Sequence, residues 1–314
     1  MSKMRLWLDT LGFSGGHLEV ASADASFRSY YRYRIDEKSY IAMDSSLQKE
    51  SLIPFVDITK RLSDVGVYVP KIFAENLEEG YLLIEDLGNR DLLQILDESN
   101  VEHYYGEAID EILKMQKAET EGLPLYDAAF LHFEMELMEE WYLSKHLGLV
   151  LSTEEKVLID QTIEKILFEV LKQPQGVFVH RDFHSRNLMV TDNDEIAVID
   201  YQDARVGAVT YDLVSLLRDL YIAFDPALVE RLALSFRDRK GLDVDDETFL
   251  RWFDFMGLQR HIKVLGIFSR LYLRDGKSGY LKDIPQTLKY VVDAGKKYEE
   301  TRGLADFLSD TVLT

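Results

Sequence analysis

Two carboxylates and one amide stand close together in the stretch Val177 to Asp203, V-F-V-H-R-D-F-H-S-R-N-L-M-V-T-D-N-D-E-I-A-V-I-D-Y-Q-D. They are Asp182, Asn187 and Asp200. All three are hard oxygen donors, the type that holds a divalent cation together with phosphate oxygens. A carboxylate within reach of a hydroxyl also orients that hydroxyl, or takes its proton, as it attacks a phosphoryl group. The competing role is a solvated loop in which Asp and Asn only close turns.

The surrounding elements suit the first role. Val177-Phe178-Val179 is a β-rich run, His180 to Asn187 a polar loop, and Leu188-Met189-Val190 and Ile196 to Ile199 two short strands. Thr191-Asp192-Asn193-Asp194 between the strands is turn chemistry. A small hairpin therefore presents the three side chains from its loop and strand ends. The spacing matches the kinase catalytic-loop pattern H-R-D-x-x-x-x-N, with Asp200 following Asn187 after a hairpin as a second metal-binding acid.

Composition bounds the rest. A chain of 314 residues suits two domains or lobes, and 46% hydrophobic content is ordinary for a soluble globule. Lys and Arg number 36 against 56 Asp and Glu, for a net charge of −20, so nucleic acid and anionic membranes are poor partners. There are 0 cysteines, which excludes disulfides, thiolate catalysis and Cys-based zinc sites. The first residues carry no long apolar run and no segment reaches membrane-spanning length, so a cytoplasmic protein is expected.

Residues 1–19 read as a short helix and turn, and 20–44 as β-hairpins. Helical spacing covers 46–65, and Val67–Phe73 and Tyr81–Ile84 read as strands. The pattern breaks at Asp86-Leu87-Gly88-Asn89. Helices are expected over 91–97, 101–118, 128–147, 153–172, 210–223, 226–240, 245–274, 283–301 and 303–311. This predicts an α+β, bilobal, protein-kinase-like fold: a small β-rich lobe over 1–88 and a larger, mostly helical lobe over 89–314.

The motifs carry a resemblance. Asp24-Ala25-Ser26-Phe27-Arg28, Tyr81 to Gly88, His180 to Asn187, Ile199 to Ala204 and Gly207 to Asp219 together resemble the aminoglycoside phosphotransferase superfamily over nearly the whole chain. Within it, the chain is most similar to the anomeric amino-sugar kinases of peptidoglycan recycling. The resemblance implies ATP and Mg²⁺, and transfer of the γ-phosphate to the C1 hydroxyl of N-acetylmuramic acid and N-acetylglucosamine. It implies a monomer that binds small molecules and neither nucleic acid nor membrane.

Roles then follow by position. Asp182 is expected as catalytic base or orienter, and Asn187 and Asp200 as metal ligands. Ser26 and Arg28 stand where a Gly-rich loop would cover the ATP phosphates, and Glu85, Asp86 and Leu87 form a hinge for adenine. His184, Gln202, Asp203 and Arg205 are expected to bind the sugar, with Arg205 suited to a lactyl carboxylate. The resemblance implies that Asp212 braces the catalytic loop. Gln259, Arg260, His261 and Lys263 interrupt an apolar helix and form either a solvated basic face or an anion-binding wall.

One departure stands out. Met43 occupies the third-strand position where a phosphate-binding Lys belongs, leaving Arg28, Arg32 or the metal to supply the charge. Two alternatives to the amino-sugar kinase stay open: a kinase of the same fold for a cationic acceptor such as an aminoglycoside or choline, and a nucleotide-binding pseudokinase.

Overall fold

The structure is a computed structural model that describes residues 2–22 and 28–312, the side chains of Ser2 and Ser22 excepted. Ser26 and its neighbours Asp24, Ala25 and Phe27 lie outside the described residues. The elements run α1 (Ser2–Thr10), β1 (His17–Ser22), β2 (Ser29–Ile35), β3 (Lys38–Asp44), α2 (Leu52–Asp64), β4 (Ile72–Asn76) and β5 (Tyr81–Glu85). Then come α3 (Val101–Met115), α4 (Ala128–Leu137), α5 (Thr153–Val170), β6 (Val177–Val179), β7 (Leu188–Val190), β8 (Ile196–Val198) and β9 (Arg205–Gly207). The chain finishes with α6 (Tyr211–Leu217), α7 (Pro226–Lys240), α8 (Asp246–Asp275), α9 (Ile284–Gly295) and α10 (Glu299–Val312).

Contacts divide the chain into two compact units, Met1–Ile95 with Arg186–Asp203, and Leu96–Ser185 with Ala204–Thr314. In the first, alternating aromatic and β-branched residues build an antiparallel sheet of order β1-β2-β3-β5-β4. Pairing of Arg32 with Ile41, and of Ile41 with Ile84, puts these three on one face with Tyr30, Met43 and Leu82. The opposite face buries Tyr33, Ala42, Tyr81 and Leu83 against Met4 and Leu8 of α1. The β7–β8 hairpin belongs to this unit because Val190 bonds the Arg90 carbonyl and Val198 the Tyr68 carbonyl.

Two early expectations shift here. The strand expected over Val67–Phe73 begins only at Ile72, since Pro70 lacks a donor and Val67 instead closes the end of α2 on the Leu62 carbonyl. The helix expected at 91–97 is a single 3₁₀ turn, Leu92–Gln94, capped by Asp91.

The second unit is helical apart from the pair β6–β9. The long 128–147 helix is α4 continued by a π-helical stretch, Met138–His146. The expected 283–301 helix ends at Gly295, with α10 starting at Glu299. At the centre lies α8, 30 residues capped by Asp245 at its start and by Gly276 (φ +69°) at its end. Its middle is buried on all sides, as expected of a helix enclosed by others. Among the described residues no helix is long and apolar enough to cross a membrane.

Candidate active site

A cavity of about 340 Å³ opens in the first unit. Its apolar walls include Ile41, Ile84 and Phe55, and its rim carries Glu85, Asp86 and Leu87. Asn187, Asp200, Tyr201 and Gln202 of the hairpin segment line it as well. Apolar walls with a few placed polar groups suit a planar heterocycle carrying a polar tail. Phe55 packs on Tyr201 with ring centroids 5.2 Å apart, and the Tyr201 hydroxyl meets Thr59 Oγ1 at 2.8 Å.

The expected hinge residues are firmly held. Glu85 accepts from the Tyr68 hydroxyl at 2.9 Å and from the Lys71 amide at 3.2 Å. Asp86 takes Arg32 as a two-point partner, Nε at 2.6 Å and Nη2 at 2.9 Å, and accepts from the Gly88 amide and Ser39 as well. Burial raises the Asp86 pKa, but these partners outweigh it and leave the carboxyl below its usual range.

Arg32 also donates to the Gly88 carbonyl at 3.1 Å, so it is committed to the hinge rather than to phosphate, contrary to one expectation for the missing lysine. Arg28, the other candidate, reaches the start of α2 through the Ser51 hydroxyl and carbonyl at 3.4 and 3.2 Å. Met43 itself is wholly buried between Tyr30 and Leu82 on the cavity face of the sheet.

Asn187 and Asp200 are brought together at the hairpin base. Asn187 Nδ2 lies 3.4 Å from Asp200 Oδ2, and Gln202 Nε2 donates to Asp200 Oδ1 at 2.9 Å. Asp200 takes a left-handed backbone, φ +65°, uncommon without glycine and frequent where function fixes geometry. An amide and a carboxylate fit Mg²⁺, which keeps phosphate oxygens and water as its other ligands. Among the described residues no cluster of three or more His, Asp or Glu competes for a metal.

Asp182 belongs to the second unit. Its loop is held by Asp212, whose carboxylate accepts the His180 amide at 2.8 Å and the Arg181 amide at 3.0 Å. Asp219 holds the next stretch through the Ser185 amide at 2.8 Å. Arg181 sits at φ +81°, a conformation costing on the order of 1–3 kcal/mol that the two aspartates and Glu134 enforce. Burial pushes the Asp182 pKa up, yet the charges of Lys263, His184, Arg260 and Arg181 overcome it and bring the group down to about 2. Asp212 goes the other way: burial dominates, and its carboxyl rises to about 6 despite His180 and the two amides.

Of the cations around Asp182, Lys263 and Arg260 are buried and Arg181 is half-buried. Lys263 Nζ meets the Tyr211 hydroxyl at 3.0 Å, the Tyr126 hydroxyl at 3.3 Å and Glu134 Oε1 at 3.3 Å. Glu134 also receives Arg181 at 2.8 Å and the Tyr126 hydroxyl. Arg260 and His261 are enclosed beside them. The solvated-face alternative for this part of α8 is therefore ruled out.

The expected sugar residues are drawn from both units. Gln202 lines the cavity and Asp203 is exposed, both in the first unit. His184 and Arg205 lie in the second. His184 is buried edge-on to Tyr221, its amide donating to the Asp182 carbonyl at 3.0 Å, and burial lowers its pKa against the pull of Asp219 and Asp182. Arg205 stacks on Phe130 at 3.7 Å and donates to the Leu125 carbonyl at 2.8 Å. Sequence reasoning gave no role to Glu134, Tyr126 or Asp219; Asp219 closes the quoted run from Gly207, whereas Glu134 and Tyr126 stand in no motif, their partners Arg181 and Lys263 lying 47 and 137 positions away.

Comparison with known proteins now decides the family. The phosphotransferase enzyme family matches residues 17–252. The chain belongs to that family. Curated relatives of this phosphotransferase include the N-acetylmuramate/N-acetylglucosamine kinase of Pseudomonas aeruginosa, 38% identical over 92% of this chain and 87% of that protein. The Neisseria meningitidis kinase of the same name is also 38% identical, over 99% of this chain and 95% of its own.

Among solved structures, ADP-bound aminoglycoside phosphotransferase APH(2'')-Ib superposes with a TM-score of 0.65 at 15% identity, covering 93% of this chain and 98% of that one. Choline kinase LicA from Streptococcus pneumoniae gives 0.64 at 14%, covering 93% and 100%. These likenesses establish the protein-kinase-like α+β fold of the phosphotransferase.

Proposed function

We propose that this phosphotransferase moves the γ-phosphoryl group of ATP to the anomeric hydroxyl of N-acetylmuramate and N-acetylglucosamine, as a monomeric cytoplasmic enzyme of cell-wall sugar recycling. The chemistry rests on one observation above all: Asp182 is kept ionised amid buried cations at the end of a braced loop. A carboxylate in that state orients an acceptor hydroxyl and accepts its proton as the bond to phosphorus forms. The anomeric hydroxyl is more acidic than an ordinary alcohol, so a weakly basic carboxylate suffices.

In this reading ATP occupies the first-unit cavity, with the Glu85–Leu87 backbone against adenine and Arg28 toward the phosphates. Asn187 and Asp200 hold Mg²⁺, whose charge offsets that of the transferred phosphate when bound. Gln202, Asp203, His184 and Arg205 serve the sugar.

The acceptor assignment follows the names of relatives 38% identical over most of the chain. A cationic acceptor fits less well, because Arg181, Arg260 and Lys263 surround Asp182 with positive charge. The test is ADP release by the purified chain with ATP and Mg²⁺ over a panel of N-acetylmuramate, N-acetylglucosamine, aminoglycosides and choline. Turnover confined to the two amino sugars is expected. Turnover on aminoglycosides or choline alone would overturn the acceptor assignment, and no turnover with any acceptor would favour a pseudokinase.

A further inference from the structure

Four polar residues run through the buried middle of α8: Gln259, Arg260, His261 and Lys263. Two are satisfied. Lys263 has its tyrosines and Glu134, and His261 Nε2 meets the Arg218 carbonyl at 3.1 Å while its ring stacks on Tyr290 at 4.8 Å. The other two are not. Arg260 is 2% exposed, and its Nε and Nη1 have no hydrogen-bond partner; Gln259 is 0% exposed, and neither its Oε1 nor its Nε2 has one.

Buried polar groups are almost always paired, because an unmade hydrogen bond in the interior costs what water would have supplied. Attraction to Asp182 offsets part of the burial of Arg260 but supplies neither of these bonds. His184 Nδ1, in reach of the Arg260 charge, is buried and unpartnered too. Lys263 lies at i+4 from Gln259 and i+3 from Arg260, so the three share one face of the helix. Arg260 thus stands within reach of the proposed catalytic aspartate with two unmet donors, and Gln259 precedes it on the same helix with an unmet donor and an unmet acceptor.

We propose that Arg260 and Gln259 form an anion subsite for the acceptor, receiving the carboxylate of an acidic amino sugar and setting the preference for N-acetylmuramate over N-acetylglucosamine, which has none. This rests on the acceptor reading above. A guanidinium offers a planar, two-point match to a carboxylate. The transferred phosphoryl group is the other anion at hand. Gln259 argues against it: its unmet Oε1 calls for a donor, which a sugar's hydroxyl and amide groups provide and an ionised phosphoryl group lacks.

The test is steady-state kinetics of the full chain with ATP and each sugar. In Arg260→Met, the ratio of kcat/KM for N-acetylmuramate to that for N-acetylglucosamine is expected to fall at least ~10-fold, through KM for N-acetylmuramate, and Arg260→Lys to recover part of it. Any effect on Asp182 reaches both sugars and cancels in the ratio. Gln259→Glu gives Arg260 an internal carboxylate, so it is expected to fold at least as stably as wild type by thermal unfolding and to lower the same ratio. An unchanged ratio in either folded variant would overturn the subsite, as would equal losses carried by kcat. Wild-type turnover on neither sugar would overturn the acceptor reading and this subsite with it.

Discussion

Arg32 and Asp86 are joined by two hydrogen bonds across the sheet, at 2.6 and 2.9 Å, with both side chains nearly enclosed. The pair ties the second strand to the hinge that rims the cavity. Removing one partner leaves the other as an uncompensated charge in the interior. Asp86→Ala is expected to destabilise the chain by about 3–5 kcal/mol in chemical denaturation and to raise KM for ATP. The Asp86 contribution exists above its unfolded pKa and is lost as pH falls through its lowered folded value, so the gap between wild type and variant closes in acid.

Asp212 has the opposite sign. Its carboxyl is raised to about 6 from 3.8, so its contribution to folding is fully present below 3.8 and is lost as pH rises through about 6. Denaturation of wild type and Asp212→Asn at pH 4.5 and pH 7.5 checks this: wild type is expected to lose stability relative to the variant as pH rises. Activity runs the other way, since the ionised form braces His180 and Arg181. The wild-type kcat/KM is expected to decline below about pH 6, a limb that belongs to Asp212 and not to Asp182.

Lys263 is the largest single charge holding Asp182 ionised. Lys263→Met is expected to raise the Asp182 pKa, so that a second protonation joins the Asp212 limb and the loss of activity in acid becomes steeper than in wild type. Full pH–rate profiles of both proteins measure the shift. An unchanged profile would detach Lys263 from the catalytic loop.

How much of this was legible beforehand differs by residue. The meeting of Asn187 and Asp200 at the hairpin base, and the bracing of the Asp182 loop by Asp212, were, because one is local to a hairpin and the other lies in a quoted motif. So was the place of Glu85 to Leu87 where a strand ends, which the structure puts in the cavity lining. The state of α8 was not. Arg260 and Lys263 at helical spacing read equally as a wet face, and only Glu134 on α4, Tyr211 on α6 and the loop after β6 bury them. β9 escaped notice because three residues carry no periodicity; its pairing with β6 makes it a strand. Arg205 read as a free cation for a substrate carboxylate, yet its partners Phe130 and Leu125 lie far along the chain.

Met43, expected to stand where a kinase would carry a phosphate-binding lysine, is an apolar core residue. It is fully enclosed on the cavity face of the sheet, between Tyr30 and Leu82. Met43→Lys would place a charge there without a built partner. It is expected to lower the thermal midpoint and to leave the affinity for ATP no better than wild type. Thermal unfolding with and without ATP measures both; tighter ATP binding at unchanged stability would mean that the position is an ordinary phosphate site.

In the proposed reaction Asp182 directs phosphoryl transfer to an amino sugar. The direct measurement is ADP release by wild type and Asp182→Asn with N-acetylmuramate as acceptor, alongside ATP binding by both. The expected kcat is lower by ~10²–10⁴ in the variant, with ATP affinity retained. A variant that turns over at the wild-type rate would contradict this role for Asp182.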